Sequence, residues 1–248
     1  MKINDARVLI TGAGRGIGNF IALGLLDKAA KVIVIDNNKE LIAALPAHAD
    51  LTAFECDITN AQEVEKLIRD IFENHGGVNI CINNAGIIHS EPLVNLLSRG
   101  DKKHSIENWL KVMNVNLNAV FYVTSNVTEQ MITKKEKGVI INISSISAQG
   151  NAGQSAYAAT KAAVEALAKT WSKELGMFKI RAASIAPGFF NTDSTKESLS
   201  DHILQKWQKA VPLGKLGELE QLLQAVVFII ENDYYNGKTL SVDGGLTL

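Results

Sequence analysis

Residues 6–18 read ARVLITGAGRGIG, and they decide the fold. An apolar run ends at Thr11, four glycines follow at alternate positions (Gly12, Gly14, Gly16 and Gly18), and a helical pattern begins at once. The run is continuously apolar, which suits a strand buried on both faces. Glycines let the chain turn tightly and bring backbone N–H groups close to a pyrophosphate. The helix that follows adds free N–H donors and a favourable dipole. Strand, glycine loop and helix in that order predict the nucleotide-binding turn of a βαβ unit. A second apolar run, KVIVID (residues 31–36), ends on Asp36, about 20 residues on, where a carboxylate can hold the hydroxyls of an adenosine ribose. The plainer alternative for Asp36 is a solvated turn residue before Asn37 and Asn38.

Outward from this unit the same alternation continues. Short apolar runs at 51–56, 78–83, 138–144, 180–186 and 239–243 read as further strands. Amphipathic patterns at 17–29, 61–73, 105–134, 154–175 and 219–232 read as helices. Strand–helix alternation predicts an α/β fold, a doubly wound and mostly parallel sheet with helices on both faces. With four prolines, no linker-like stretch and no repeat, residues 1–248 read as a single domain. Two segments fit poorly. Residues 93–104 form a polar, basic insertion before a long helix, and 189–217 is a long connection of the kind that often serves as a lid or binding element.

Composition narrows the function classes. The chain is 46% hydrophobic, enough for a large core, and its net charge of −1 argues for neither a nucleic-acid nor an anionic-membrane partner. Cys56 and Cys81 are far apart, with no CxxC and no histidine cluster at ligand spacing, so no metal is expected. Both read as buried thiols of a reducing compartment. No apolar stretch reaches the ~18 residues of a membrane span. The start of the chain is strand-like and runs into the glycine loop, unlike a signal peptide. A cytoplasmic protein is the expectation.

Chemistry is suggested by YAATK (residues 157–161). Tyr157 and Lys161 lie four apart, on one face of a helix. An ammonium beside a phenol favours the phenolate, which makes Tyr157 a candidate proton donor and acceptor near neutral pH. Alone, the pair also fits an amphipathic helix with a solvated lysine.

TGAGRGIG (11–18), NNAG (83–86), Asn116 within VMNVNL, the serines of NISS, YAATK and APG (186–188) occur here in one order. Together they make the whole chain resemble the short-chain dehydrogenase/reductases. The resemblance implies a Rossmann fold with seven strands in the order 3-2-1-4-5-6-7. It implies that Tyr157 transfers the proton, that Lys161 activates it and binds the nicotinamide ribose, and that Asn116 holds a water linking the lysine to solvent. The glycine loop, with Gly12, Arg15, Gly16, Ile17 and Gly18, would take the pyrophosphate. Asp36 would take the adenosine ribose. Asp57, with Ile58 beside it, would meet the adenine. Asn83, Ala85 and Gly86 match the loop beside that ribose. Pro187, Gly188, Phe190 and Thr192 span the PGxxxT motif that orients the nicotinamide amide. Counting thirteen residues back from the tyrosine puts the substrate-binding serine at Ser144. Aligning by the strand IINISS puts it at Ser145, which is preferred because loops tolerate deletion better than strands. Ser147 remains an outside candidate.

The implied activity is NAD(P)-dependent interconversion of a ketone and a secondary alcohol without a metal. NAD is expected over NADP: Asp36 would repel a 2′-phosphate and Asn37 is neutral, although Arg15 argues the other way. GNAGQSAYAATKAAVEALAKTWSKEL and IAPGFFNTD look like β-ketoacyl-(acyl-carrier-protein) reductases. The insertion and the ending IIENDYYNGKTLSVDGG look like type II 3-hydroxyacyl-CoA dehydrogenases. An acyl-thioester substrate is thus expected, with sugar, polyol or steroid as alternatives. Lys196, Lys206 and Lys209 could meet its carrier, or form a solvated face. A dinucleotide-binding regulatory protein is the non-enzyme alternative. The resemblance also implies a homotetramer. Ala156, Ala158, Ala159, Ala162, Ala163, Ala166 and Ala168 permit close helix packing, or simply packing on the sheet.

Overall fold

The computed structural model describes residues 1–192 and 207–248. Seven strands form one parallel sheet: β1 (Arg7–Thr11), β2 (Lys31–Asp36), β3 (Leu51–Glu55), β4 (Ile80–Asn83), β5 (Gly138–Ile143), β6 (Ile180–Pro187) and β7 (Thr239–Val242). Their order is β3-β2-β1-β4-β5-β6-β7, as the resemblance implied. The chain winds outward from β1 to β3, returns to β4 beside β1, and winds the other way. That reversal opens a crevice beyond the carboxyl ends of β1 and β4, where doubly wound sheets bind ligands.

The central strands are apolar throughout because both of their faces are covered. Val8 and Ile10, Ile80 and Ile82, and Val139, Ile141 and Ile143 face one layer, with α1 (Gly16–Leu26) and α7 (Leu219–Glu231). Leu9, Cys81 and Ile140 alternate to the other layer, with α3 (Ala61–Asn74), α5 (Ala119–Thr133) and α6 (Ser155–Glu174). Burial of this kind stabilises by about 25 cal/mol per Å² of apolar surface, so these strands anchor the sheet. The outer strands β3 and β7 are only partly buried.

Local signals set the helix starts. The Asn60 side chain accepts from Gln62 N–H and Glu63 N–H at the head of α3. Ser105 caps α4 (Ile106–Met113) by accepting from Asn108 N–H. Glu218 and Gln221 form a reciprocal box at α7. Such caps contribute about 1 kcal/mol each. Two expectations need correction. The stretch 105–134 is not one regular helix: a π turn, Asn114–Asn118, separates α4 from α5. A short helix, α2 (Lys39–Ala43), follows Asp36 where none was expected. Among the described residues, no helix is long and apolar enough to cross a membrane.

Candidate active site

The glycine loop leaves β1 at Gly12, whose φ is +64°. A Cβ there would lie 2.7 Å from Ala85 Cα, so only glycine fits the approach to the β4 loop. At Gly18 a Cβ would lie 2.3 Å from Asn84 Nδ2 and 2.5 Å from the Gly12 carbonyl. Gly16, with φ of +62°, has nothing within 4 Å of the same position. The loop is thus packed against protein on one side and open on the other, next to the N-terminus of α1. This is the cradle a pyrophosphate requires, and the residues present fit a dinucleotide.

Asp36 closes the cradle from β2. Its Oδ2 accepts from Gly14 N–H at 2.9 Å and its Oδ1 from Asn38 N–H at 3.0 Å. Arg15 is exposed at the head of α1, and Ile17 is partly buried one residue inside it. Asp57 is also exposed, its Oδ1 accepting from both the backbone and the hydroxyl of Thr59. Ile58 beside it packs on the core layer.

The asparagine pair at the end of β4 divides its work by strand parity. The Asn83 side chain turns into the sheet layer, where Nδ2 donates to Thr124 Oγ1 at 2.8 Å and to Asn142 Oδ1 at 2.9 Å. Its side chain therefore cannot line the ribose loop; only its main chain reaches there. Asn84, which the motif reading passed over, clasps the loop. Its Nδ2 donates to the Thr11 and Gly12 carbonyls at 3.0 and 2.9 Å, and Thr11 Oγ1 accepts from the N–H groups of Asn84 and Ala85.

Beyond β4, Gly86, Asn116 and Lys161 converge. A Cβ on Gly86 would lie 3.3 Å from Asn116 Oδ1 and 3.5 Å from Lys161 Nζ. Asn116 sits in the π turn and exchanges two hydrogen bonds with the Ile87 main chain, at 2.8 and 2.9 Å. Such turns re-aim side chains and are frequent at functional sites.

Tyr157 and Lys161 are buried on the first turns of α6. Lys161 Nζ donates to the Ile143 carbonyl at 2.7 Å and lies 5.6 Å from the centre of the Tyr157 ring. The two serines at the end of β5 face opposite ways. Ser144 Oγ has two acceptors for its one proton, Glu165 Oε1 at 2.7 Å and the Lys161 carbonyl at 3.0 Å. Ser145, one residue on, lies close enough to the Tyr157 hydroxyl to pull the phenol's pKa down. It also accepts from Ser147 N–H at 3.1 Å. Ser147 Oγ is committed to Gln154 Oε1 at 3.0 Å. The arrangement brings Ser145 and the phenol together and leaves Ser144 behind the strand.

One electrostatic expectation reverses. Burial pushes the Tyr157 phenol above its ordinary range, outweighing the effect of Ser145, which pulls it down. Burial also pushes the Lys161 ammonium down to about 8. Burial disfavours the charged form of each group, and this desolvation is the largest cause of both shifts. A pH signature follows. Below about pH 8 the folded chain carries a buried cation at a cost. As pH rises from there towards 10.5 the folded state gives up this proton before the unfolded state does, so the contribution of Lys161 to stability rises. Activity should move the opposite way. The resemblance implies that a charged lysine assists the reaction, and on that reading kcat/KM should fall as pH rises through about 8. A profile flat from about pH 7 to 9.5 would contradict the assignment.

On the other side of the crevice, Gly188 N–H donates to the Val242 carbonyl, and a Cβ at Gly188 would lie 2.7 Å from Asp243 Cα. Pro187 closes β6. Phe190 is buried against Gly217, and Thr192 is buried just beyond, its N–H donating to the Phe190 carbonyl at 3.0 Å. Lys196 and Lys206 lie outside the described residues. Lys209 is exposed. Cys56 and Cys81 are both buried, with thiols pushed up to about 11 and about 12, so neither is a nucleophile.

The chain is similar to known proteins. The sequence profile described as short chain dehydrogenase matches residues 6–203. A 3-oxoacyl-(acyl-carrier-protein) reductase of Thermotoga maritima is 34% identical, with all of both chains covered. A gluconate 5-dehydrogenase of Gluconobacter oxydans is 32% identical over 100% of this chain and 96% of the other. Among solved structures, a gluconate 5-dehydrogenase of Burkholderia cenocepacia, in complex with NADP and tartrate, superposes with a TM-score of 0.89 at 32% identity. The match covers 98% of this chain and 95% of that one.

Proposed function

This chain belongs to the short chain dehydrogenase family, and from that membership we propose that it interconverts a 3-oxoacyl thioester and its 3-hydroxy partner with NAD(H). The coarser statement, an NAD(P)-dependent oxidoreductase acting on a CH–OH group, follows from the family itself. The observation that carries the residue assignment is the meeting of Tyr157, Ser145 and Lys161 beyond the carboxyl end of β5.

A bound nicotinamide supplies or accepts the hydride. The chain does the rest. Negative charge develops on the carbonyl oxygen during reduction, and the Ser145 and Tyr157 hydroxyls are fixed to meet it. Tyr157 then delivers its proton, and in alcohol oxidation the same oxygen takes it back. Lys161 lies beside the ring and steadies the phenolate. Gly86 lies beside both Lys161 Nζ and Asn116 Oδ1. Thr192 and the Gly188 turn would hold the amide end of the cofactor.

The thioester reading rests on the 3-oxoacyl reductase relatives and on the stretches around Tyr157 and Pro187 that look like theirs. A sugar-acid substrate is the second reading, favoured by the gluconate dehydrogenases among sequence and structural relatives. The test is kcat/KM for a 3-oxoacyl thioester against 5-keto-gluconate under one set of conditions. A preference for the sugar acid would overturn the thioester reading and leave the oxidoreductase assignment intact.

Preference for NAD rests on Asp36. Its carboxylate is fixed at the glycine loop by Gly14 and Asn38. A 2′-phosphate about 5 Å away, at an effective dielectric near 20, would meet several kcal/mol of repulsion before screening. Asn37 offers no compensating charge, and Arg15, which is exposed, offsets only part. NAD(H) should therefore be preferred at least tenfold in kcat/KM. Asp36→Ala should narrow the gap, and adding Asn37→Arg should turn it towards NADP(H). A tenfold preference of the parent enzyme for NADPH would refute the assignment. A homotetramer is the proposed assembly: Ala159, Ala162 and Ala166 leave one side of α6 exposed and small, and Phe121 of α5 is 52% exposed.

A further inference from the structure

The insertion at 93–104 is a closed hairpin. His104 N–H donates to the Leu93 carbonyl at 3.0 Å and Asn95 N–H to the Lys102 carbonyl at 2.7 Å. Three side chains gather at its base: His89 and Glu91 from the strand-like approach, and His104 from the return. Their ligating atoms all lie within 4.8 Å of one another. The spacing of histidines along the chain gave no hint of this, because the hairpin rather than a local motif brings His104 back.

The histidine on the return strand is the informative one. His104 is 9% exposed, and its Nε2 is buried with no hydrogen-bond partner. Its Nδ1 faces the Glu91 carbonyl at 3.1 Å and so carries the proton there. That leaves a lone pair on Nε2, aimed at Glu91 Oε2 at 3.9 Å. Two acceptors facing each other in a buried place are unfavourable. A proton on Nε2 would turn the contact into an ion pair but would leave Nε2 without a hydrogen-bond partner, since 3.9 Å is beyond hydrogen-bond range. A cation bonded to both would satisfy each of them, because two bonds of about 2.1 Å span separations up to about 4.2 Å.

The surroundings suit that reading. His89 Nε2 lies 2.9 Å from the same Oε2 and supplies a third ligand atom. Glu91 is oriented by Ser105 N–H on Oε1 at 3.0 Å and by Asn108 Nδ2 on Oε2 at 3.3 Å. The His104 Nδ1 contact to a backbone carbonyl is the support that metal-bound imidazoles usually have. We propose that His89, Glu91 and His104 form a binding site for a divalent transition-metal cation of the zinc type. Two imidazoles and a carboxylate suit such an ion, with a fourth position left to water. Binding displaces the proton shared by His89 and Glu91.

The site clasps the hairpin against the segment that leads into the active site. Glu91 N–H donates to the Gly153 carbonyl at 2.6 Å, and Gln154 Nε2 donates to Ser90 Oγ at 3.2 Å. Its role is structural, outside the reacting atoms, and does not depend on the substrate assigned above.

The test uses the full-length enzyme, free of any polyhistidine tag, stripped with chelator and titrated with Co²⁺ and then Zn²⁺. The expected result is one Co²⁺ per chain with visible absorption of a low-coordinate nitrogen–oxygen site, displaced by Zn²⁺, and a Tm that rises with zinc. Loss of a ligand should exceed the ~10–100-fold loss in affinity typical of a supporting group. His104→Ala and His89→Ala should each show it; the second changes a half-exposed residue and serves if the first fails to fold. His75→Ala, whose ring sits 3.5 Å from Asp70 on the surface, should bind as the parent does. Absence of stoichiometric Co²⁺ binding, or equal affinity in His89→Ala and the parent, would overturn the proposal.

Discussion

Replacing Tyr157 by phenylalanine is expected to remove ketone reduction almost entirely while leaving dinucleotide binding close to that of the parent. The ring is buried at the head of α6, so its apolar body packs equally well without the oxygen. The hydrogen bond that Thr160 Oγ1 makes to residue 157 uses the main-chain carbonyl and survives the change. What disappears is the hydroxyl that faces Ser145. Loss of a positioned proton-transfer group typically costs ~10²–10⁴ in rate. Turnover within about threefold of the parent, at a cofactor concentration that saturates both, would remove Tyr157 from the mechanism.

The second large effect separates neighbouring serines. Ser145→Ala should lower kcat by ~10²–10³, the cost of removing one donor aimed at a developing oxyanion. Ser144→Ala should leave kcat nearly unchanged. Its hydroxyl points the other way, to the Lys161 carbonyl and Glu165, and its loss should appear instead as about 1 kcal/mol of stability. Chemical denaturation and steady-state kinetics on the two variants read the contrast directly. The reverse ranking would favour the serine that lies thirteen residues before the tyrosine.

The sheet was legible because its central strands are buried on both faces and must be apolar at every position. Leu9, Ile82 and Ile140 announce themselves whichever layer they face. The glycine loop was legible because close approach to Ala85 and Asn84 leaves no room for a side chain. What escaped depends on one-residue parity or on contacts across the fold. Asn83 and Asn84 are identical in sequence, yet strand alternation sends the first into the sheet and the second to the loop. The π turn at Asn116 has no compositional mark. The direction of the Tyr157 shift was missed because four-residue spacing on a helix shows proximity and not burial. His89, Glu91 and His104 converge only through the hairpin between them.

The most direct measurement of the central claim is turnover by the purified enzyme of a 3-oxoacyl thioester with reduced nicotinamide cofactor. Loss of the reduced cofactor is followed by absorbance and the hydroxyacyl product is quantified. The account predicts one hydroxyl formed per cofactor oxidised, with the reaction lost in Tyr157→Phe although the variant still binds the cofactor. Tight cofactor binding without oxidation by any thioester, keto sugar or simple ketone would contradict it, and would leave a dinucleotide-binding regulator as the reading of this chain.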